Sequence, residues 1–372
     1  MLFCEPLLNA PTFPTPDHNM NRLQSIRPFG QRIWLDNLSR ELLASGELAR
    51  LLHEDGIAGV TSNPAIFYKA ISTDASYQAD LTRLKAEAGL SAEQRYEALV
   101  VPDIQAACDL LQEQYRSSAG NDGYVSLEVS PALSHDEAGT LDAARRLWAA
   151  IDRPNAMIKI PATAAGIRAF QTLTAEGINV NITLLFSLPQ VEAVWDAYID
   201  GLSARHAAGK PVTGIKAVAS FFLSRVDSLL DPQLPPALQG KAAIALSKVA
   251  YARYQQRFHG SEFAALKAAG AWPQFLLWAS TGTKNAAYSD VLYVESLIGD
   301  ETVNTVPDAT LAAFRDHGVA ALTLPQDAQQ AQITLLDVAE ADIDLVAVGD
   351  KLQQDGLKLF EDAFAALLKL TA

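Results

Sequence analysis

Lys159 stands in the apolar run Asn155-Ala156-Met157-Ile158-Lys159-Ile160-Pro161, which leads into Ala162-Thr163-Ala164-Ala165-Gly166-Ile167. In a strand, side chains alternate faces, so Ile158 and Ile160 point one way while Met157, Lys159 and Pro161 point the other. An ammonium turned inward is seldom there without a use or a partner, because burial disfavours its charged form and is expected to lower its pKa. A lysine made less basic is a candidate nucleophile.

The same alternation, applied to neighbouring β-like runs, brings more polar groups to that face. Ser126, Glu128 and Ser130 share one parity, with Val125, Leu127 and Val129 on the other. Asn179, Asn181 and Thr183 oppose Ile178, Val180, Ile182 and Leu184, while Thr61 pairs in parity with Asn63 and Trp34 with Asp36. One inward Asn or Thr is most often a satisfied core residue, and one Asp or Glu a solvated edge. Asp36, Asn63, Glu128, Lys159, Asn181 and Thr183 converging from five successive runs point instead to a site. The set is a lysine between two carboxylates and neutral donors, and it holds no metal ligands.

Other chemistries find little support. The histidines (His18, His53, His135, His206, His259 and His317) are scattered without HExxH-like spacing, so no metal site is expected. Neither GxGxxG nor GxxxxGK[ST] occurs, and Gly201-Leu202-Ser203-Ala204-Arg205 lacks the last glycine of a nucleophile elbow. Lys216 shares parity with Ser220 but lies four residues earlier, near the opposite end of its run. It reads as a structural lysine whose ammonium snorkels to water.

The elements that must position these residues alternate in type. β-like runs at 32–37, 59–64, 124–130, around Lys159, and at 178–186, 215–222, 274–280 and 302–306 are each followed by a helical segment, the first a helix from Ser39 expected to close near Gly56. That order predicts an α/β fold, a (β/α)8 TIM barrel with extra helices in a single domain, with its site at the C-terminal strand ends. Residues 1–27 hold four prolines and no sustained period, so a flexible tail is expected, with Met20 a possible start, and the barrel is expected to occupy residues 28–372. From Asp342 to Ala372 the pattern is helical, and Phe360, Ala363, Phe364 and Leu367 form a packing stripe.

The chain of 372 residues, 49% apolar and 19% charged, has ample material for one large core. A net charge of −14 without clustered Lys and Arg argues against a nucleic-acid partner, yet a few local cations could still hold a small anion. Cys4 and Cys108 cannot make a disulfide framework, and no apolar run has the length of a membrane span. Without a secretory signal pattern at the N-terminus, a cytoplasmic protein is expected.

At the same residues the chain resembles the transaldolases. The matching pieces are Trp34-Leu35-Asp36-Asn37, Gly59-Val60-Thr61-Ser62-Asn63-Pro64-Ala65-Ile66, Ser126-Leu127-Glu128-Val129 and Ile158-Lys159-Ile160-Pro161-Ala162-Thr163. Further on come Asn179-Val180-Asn181-Ile182-Thr183-Leu184-Leu185-Phe186-Ser187, Ser220-Phe221-Phe222-Leu223-Ser224-Arg225 and Ala279-Ser280-Thr281-Gly282-Thr283-Lys284-Asn285. They keep the family's order and extend from about residue 28 to the C-terminus. The length and the Ser280–Lys284 variant look most like the actinobacterial-type branch, which also occurs fused to a glucose-6-phosphate isomerase; no such second domain is expected here.

The resemblance implies a class I mechanism without metal or cofactor, in which Lys159 forms a Schiff base with a ketose phosphate in the pentose phosphate pathway. By the same analogy Asp36 takes the proton of the C4 hydroxyl, and Glu128 with Thr183 shuttles protons through a water. Asn63 and Asn181 would hold the three-carbon unit, and Ser220, Arg225 and Lys284 the phosphate. Better-known transaldolases carry arginine where Lys284 stands, so a point charge replaces a bidentate fork. Related fructose-6-phosphate aldolases carry Gln at the Glu128 position and Tyr at the Phe222 position, which favours transfer over release of free dihydroxyacetone. An aldolase of that kind, or an inactive barrel kept as a binding protein, is the competing reading. Sugar phosphates are the expected partners, and the enzyme is expected to be a monomer or homodimer.

Overall fold

Eight short runs of β-branched, aromatic and small residues close into one parallel barrel in the computed structural model, which describes residues 20–372. The strands are β1 (Gln31–Leu35), β2 (Gly59–Thr61), β3 (Tyr124–Glu128), β4 (Ala156–Pro161), β5 (Val180–Leu185), β6 (Ala217–Phe222), β7 (Phe275–Ala279) and β8 (Thr302–Val306). Each pairs with its sequence neighbour, and β1 closes on β8 through Gln31↔Thr302 to Leu35↔Val306. Helices cover the outside, so β2 to β8 are buried along their whole length. This is the expected (β/α)8 architecture. No helix among the described residues is long and apolar enough to cross a membrane.

Two strand-to-helix turns bear on the site. Asn63 ends β2 and caps the helix Pro64–Thr73, accepting from the Ile66 N–H with proline in its first turn. Thr163 does the same after β4 for the helix Ala164–Glu176, which Gly177 closes in the left-handed region at φ 93°. Strand β5 departs from simple alternation. Parity holds through Thr183, then the pairing with β6 shifts register before Leu185↔Phe221, and Leu184 takes a left-handed φ of 64°. The outward direction expected for Leu184 therefore fails at a bulge, which leaves its side chain against Gly356.

Three expectations need correction. Residues 20–27 do not form a tail: Leu23 and Ile26 are buried, Gln24–Phe29 is a short 3-10 helix, and Arg27 contacts Asp122 at 3.3 Å. Residues 1–19 of the expected tail, with Cys4 and His18, lie outside the described residues. Lys216 does not snorkel. It is 2% exposed, donates to Asn121 Oδ1 at 2.7 Å, and its ammonium lies 3.2 Å from the Phe275 ring centroid. Burial pushes its pKa well below the ordinary lysine value. The helical pattern between Ser39 and Gly56 is two helices, Arg40–Ala44 and Glu47–Glu54, broken where Gly46 turns left-handed at φ 75°.

The C-terminal helix, Leu345–Thr371, crosses the C-terminal mouth of the barrel. Gln353 Nε2 donates to the carbonyls of Ala162 and Leu184, both at 3.0 Å. Farther along, Phe364 meets Tyr96 edge-on at 5.7 Å, and Thr371 Oγ1 donates to the Ala92 carbonyl at 2.8 Å.

Candidate active site

Register decides which polar residues meet. Glu128 pairs with Lys159 across β3 and β4, and Lys159 with Asn181 across β4 and β5, so three inward side chains share one level. Lys159 Nζ lies 3.3 Å from Glu128 Oε2 and donates to the Ser62 carbonyl at 3.2 Å. Both residues are nearly sealed, at 5% exposure for Lys159 and 6% for Glu128. Burial raises the Glu128 carboxyl to about 7, against the opposing pull of Lys159. Neither Glu128 oxygen accepts a well-directed hydrogen bond, and Thr183 Oγ1 is likewise buried without a partner. Buried groups left open in this way are ready to bind water or substrate.

Asp36 follows directly after β1 at the rim. Its Oδ1 accepts from Thr61 Oγ1 at 2.7 Å, and Thr61 Oγ1 in turn lies 2.6 Å from Thr305 Oγ1. Burial raises the Asp36 pKa, opposed first by Lys159 and then by the Thr61 hydrogen bond. Deeper in the barrel, Asn181 donates to Ser126 Oγ at 3.2 Å and accepts from Ser220 Oγ at 2.6 Å. The Asn63 side-chain oxygen is occupied by its capping role, which leaves the amide NH2 to face a ligand.

Above these groups a cavity of about 210 Å³ opens at the C-terminal strand ends. Asp36, Asn63, Lys159, Asn181, Thr183, Ser220, Phe222, Arg225 and Lys284 all line it, with Glu128 beneath beside Lys159. The ten residues singled out in the sequence are thus gathered in one place. Arg225 and Lys284 supply positive charge at this mouth, and Arg225 Nη1 is buried without a partner. Ser220 lines the same cavity while its hydroxyl donates to Asn181 Oδ1 at 2.6 Å. Ser280, Thr281 and Gly282 also line the cavity, and Ser280 is held left-handed at φ 54° with its hydroxyl 2.8 Å from Ser224 Oγ.

Sequence reasoning missed several contributors. Thr305 needed the strand alternation extended to β8, where Thr305 pairs with the inward Trp34. Phe360 also lines the cavity, its ring centroid 5.4 Å from Lys159 Nζ. It lies on the expected packing stripe, and the available signal was Gly349, Gln353, Gly356 and Phe360 falling on one helical face.

Comparison with known proteins gives the same direction throughout. Residues 33–371 match the family model described as Transaldolase/Fructose-6-phosphate aldolase. The chain is similar to the Transaldolase of Thiobacillus denitrificans, 54% identical over 94% of this chain and 99% of that protein. It is 55% identical to the Transaldolase of Neisseria gonorrhoeae over 94% of this chain and 99% of that one. A Transaldolase from Parafrankia sp. is 44% identical over 93% of this chain and 96% of its own length.

Proposed function

Because the chain belongs to the transaldolase/fructose-6-phosphate aldolase family, we propose that it is a transaldolase acting through a Schiff base on Lys159. It moves a dihydroxyacetone unit from sedoheptulose 7-phosphate to glyceraldehyde 3-phosphate, giving erythrose 4-phosphate and fructose 6-phosphate, in the pentose phosphate pathway of the cytoplasm. The observation that carries this reading is Lys159 Nζ set 3.3 Å from a buried carboxylate, in a cavity that also holds Arg225 and Lys284.

The Lys159 amine attacks the C2 ketone, and the carbinolamine loses water to give an iminium. Glu128, poised at about 7 by burial, takes and returns protons in this step, with a water held by Thr183 as the relay. Asp36 accepts the C4 hydroxyl proton, the C3–C4 bond breaks, and its electrons enter the iminium to leave an enamine and an aldose phosphate. Asn181 and Asn63 hold the hydroxyls of the bound unit until the acceptor aldehyde arrives, and the same steps then run in reverse. Arg225 and Lys284 receive the phosphate of donor and acceptor in turn, and Ser220 fixes the Asn181 amide. All these groups come from one chain, so a monomer or a homodimer is a complete enzyme.

Transfer is favoured over aldol release because the Phe222 wall is a phenyl ring, 5.3 Å from Phe186, with no hydroxyl to hold a protonating water. Borohydride reduction in the presence of fructose 6-phosphate, followed by peptide mass spectrometry, is expected to add the reduced three-carbon unit at Lys159 and nowhere else. An unmodified Lys159, or the same adduct in Lys159→Ala, would rule the mechanism out.

A further inference from the structure

The Schiff-base nitrogen has an aromatic neighbour that the proposed steps do not use. From the geometry of the C-terminal helix we infer that Phe360 shields the enamine formed on Lys159, keeping away the water that would protonate it, so that the bound unit passes to an aldehyde instead of being released. This inference rests on the transaldolase reading above.

Phe360 is 7% exposed, and its ring centroid is 5.4 Å from Lys159 Nζ, within reach of a cation–π contact. The placement is built in. Gln353 ties the helix to the carbonyls at the ends of β4 and β5, and Gly356 lets it approach closely: a Cβ there would lie 3.0 Å from Leu184 Cδ2 and 3.3 Å from Arg225 Nη1. Phe222 lines the same cavity, so the bound unit has two aromatic neighbours on different elements.

Loss of the unit needs two events, and Phe360 opposes the first. A proton must be added at C3 of the enamine, giving the iminium of dihydroxyacetone. Water must then add at the imine carbon and the C–N bond break, releasing dihydroxyacetone and the Lys159 amine. A dry apolar ring beside the enamine leaves no room for a water to deliver the C3 proton, whereas the hydration at C2 that ends every productive turnover still runs through the water held by Thr183 and Glu128.

The test measures free dihydroxyacetone per sedoheptulose 7-phosphate formed from fructose 6-phosphate and erythrose 4-phosphate. Phe360→Ala is expected to raise this ratio about tenfold, and Phe360→Leu by a smaller factor, because Leu restores part of the apolar volume. Leu359→Ala, at a neighbouring position 55% exposed, should leave the ratio at the wild-type value. A merely structural role would lower activity without changing the ratio. If Phe360→Ala fails to fold, Phe360→Leu decides alone. An unchanged ratio in the folded Phe360 variants overturns the inference while leaving transaldolase activity standing; a wild-type enzyme that forms no sedoheptulose 7-phosphate overturns the functional reading itself.

Discussion

At the residue scale the site depends on carboxyl groups moved from their ordinary range. A glutamate ionising near 4.5 is a weak proton donor at neutral pH, whereas Glu128 at about 7 is present in both forms. Activity that needs its carboxylate should rise with pH through about 7, and Glu128→Gln should remove that limb from the kcat profile while lowering kcat by roughly 10²–10⁴. A second prediction concerns Asp36. Thr61→Val deletes the 2.7 Å hydrogen bond that favours its ionised form, so the Asp36 pKa should rise, and in the Glu128→Gln background the remaining acid limb should move to higher pH. An acid limb that stays in place would deny Thr61 this role. Lys159, Glu128 and Asn181 were legible in the sequence because strand parity is a local property. The hydrogen-bonded chain from Asp36 through Thr61 to Thr305 was not, because it joins both ends of the polypeptide.

At the element scale the C-terminal helix does more than pack. Gly349 and Gly356 lie seven residues apart on the face that meets the barrel mouth, and each permits a close approach. A Cβ at Gly349 would lie 2.6 Å from Ser187 Cβ, so the helix or the backbone at Ser187 must shift. Gly349→Ala is therefore expected to lose roughly 1–3 kcal/mol in urea unfolding, although alanine is the better helix former. At Gly356 the added methyl meets the side-chain tips of Leu184 and then Arg225, both of which can give, so Gly356→Ala should raise KM for phosphorylated substrates more than it changes stability. The left-handed bulge at Leu184 belongs to the same junction, since it presents the carbonyl that Gln353 binds. The heptad-like Phe360–Leu367 stripe predicts a buried face, but sequence spacing carries no information on what that face covers.

At the scale of the whole molecule, buried carboxyls set how stability responds to pH. Asp227 accepts from the Ala243 N–H at 2.9 Å and the Tyr293 hydroxyl at 2.7 Å, yet burial still raises it from 3.8 to about 6. Folding thus favours its neutral form: the contribution is full below the unfolded value of 3.8 and is lost as pH rises through about 6. Asp227→Asn should flatten this loss, by on the order of 2 kcal/mol between pH 4 and pH 7, read from urea midpoints across that range. Equal pH slopes for the two proteins would refute it. Lys216 shows the limit of parity reading at this scale. Its position near the opposite barrel end was legible, but its burial against Phe275 depends on packing between strands far apart in sequence. By itself the sequence determined the barrel, the strand order and the inward polar set, because alternation and helix periodicity are written in local spacing. Only the tertiary structure decided the register that sets Lys159 against Glu128, the burial that moves the carboxyls, and the closure of the mouth by a helix whose Phe360 lies about 200 residues along the chain from Lys159. Those features arise from contacts between distant segments, which exist only once the chain has closed on itself.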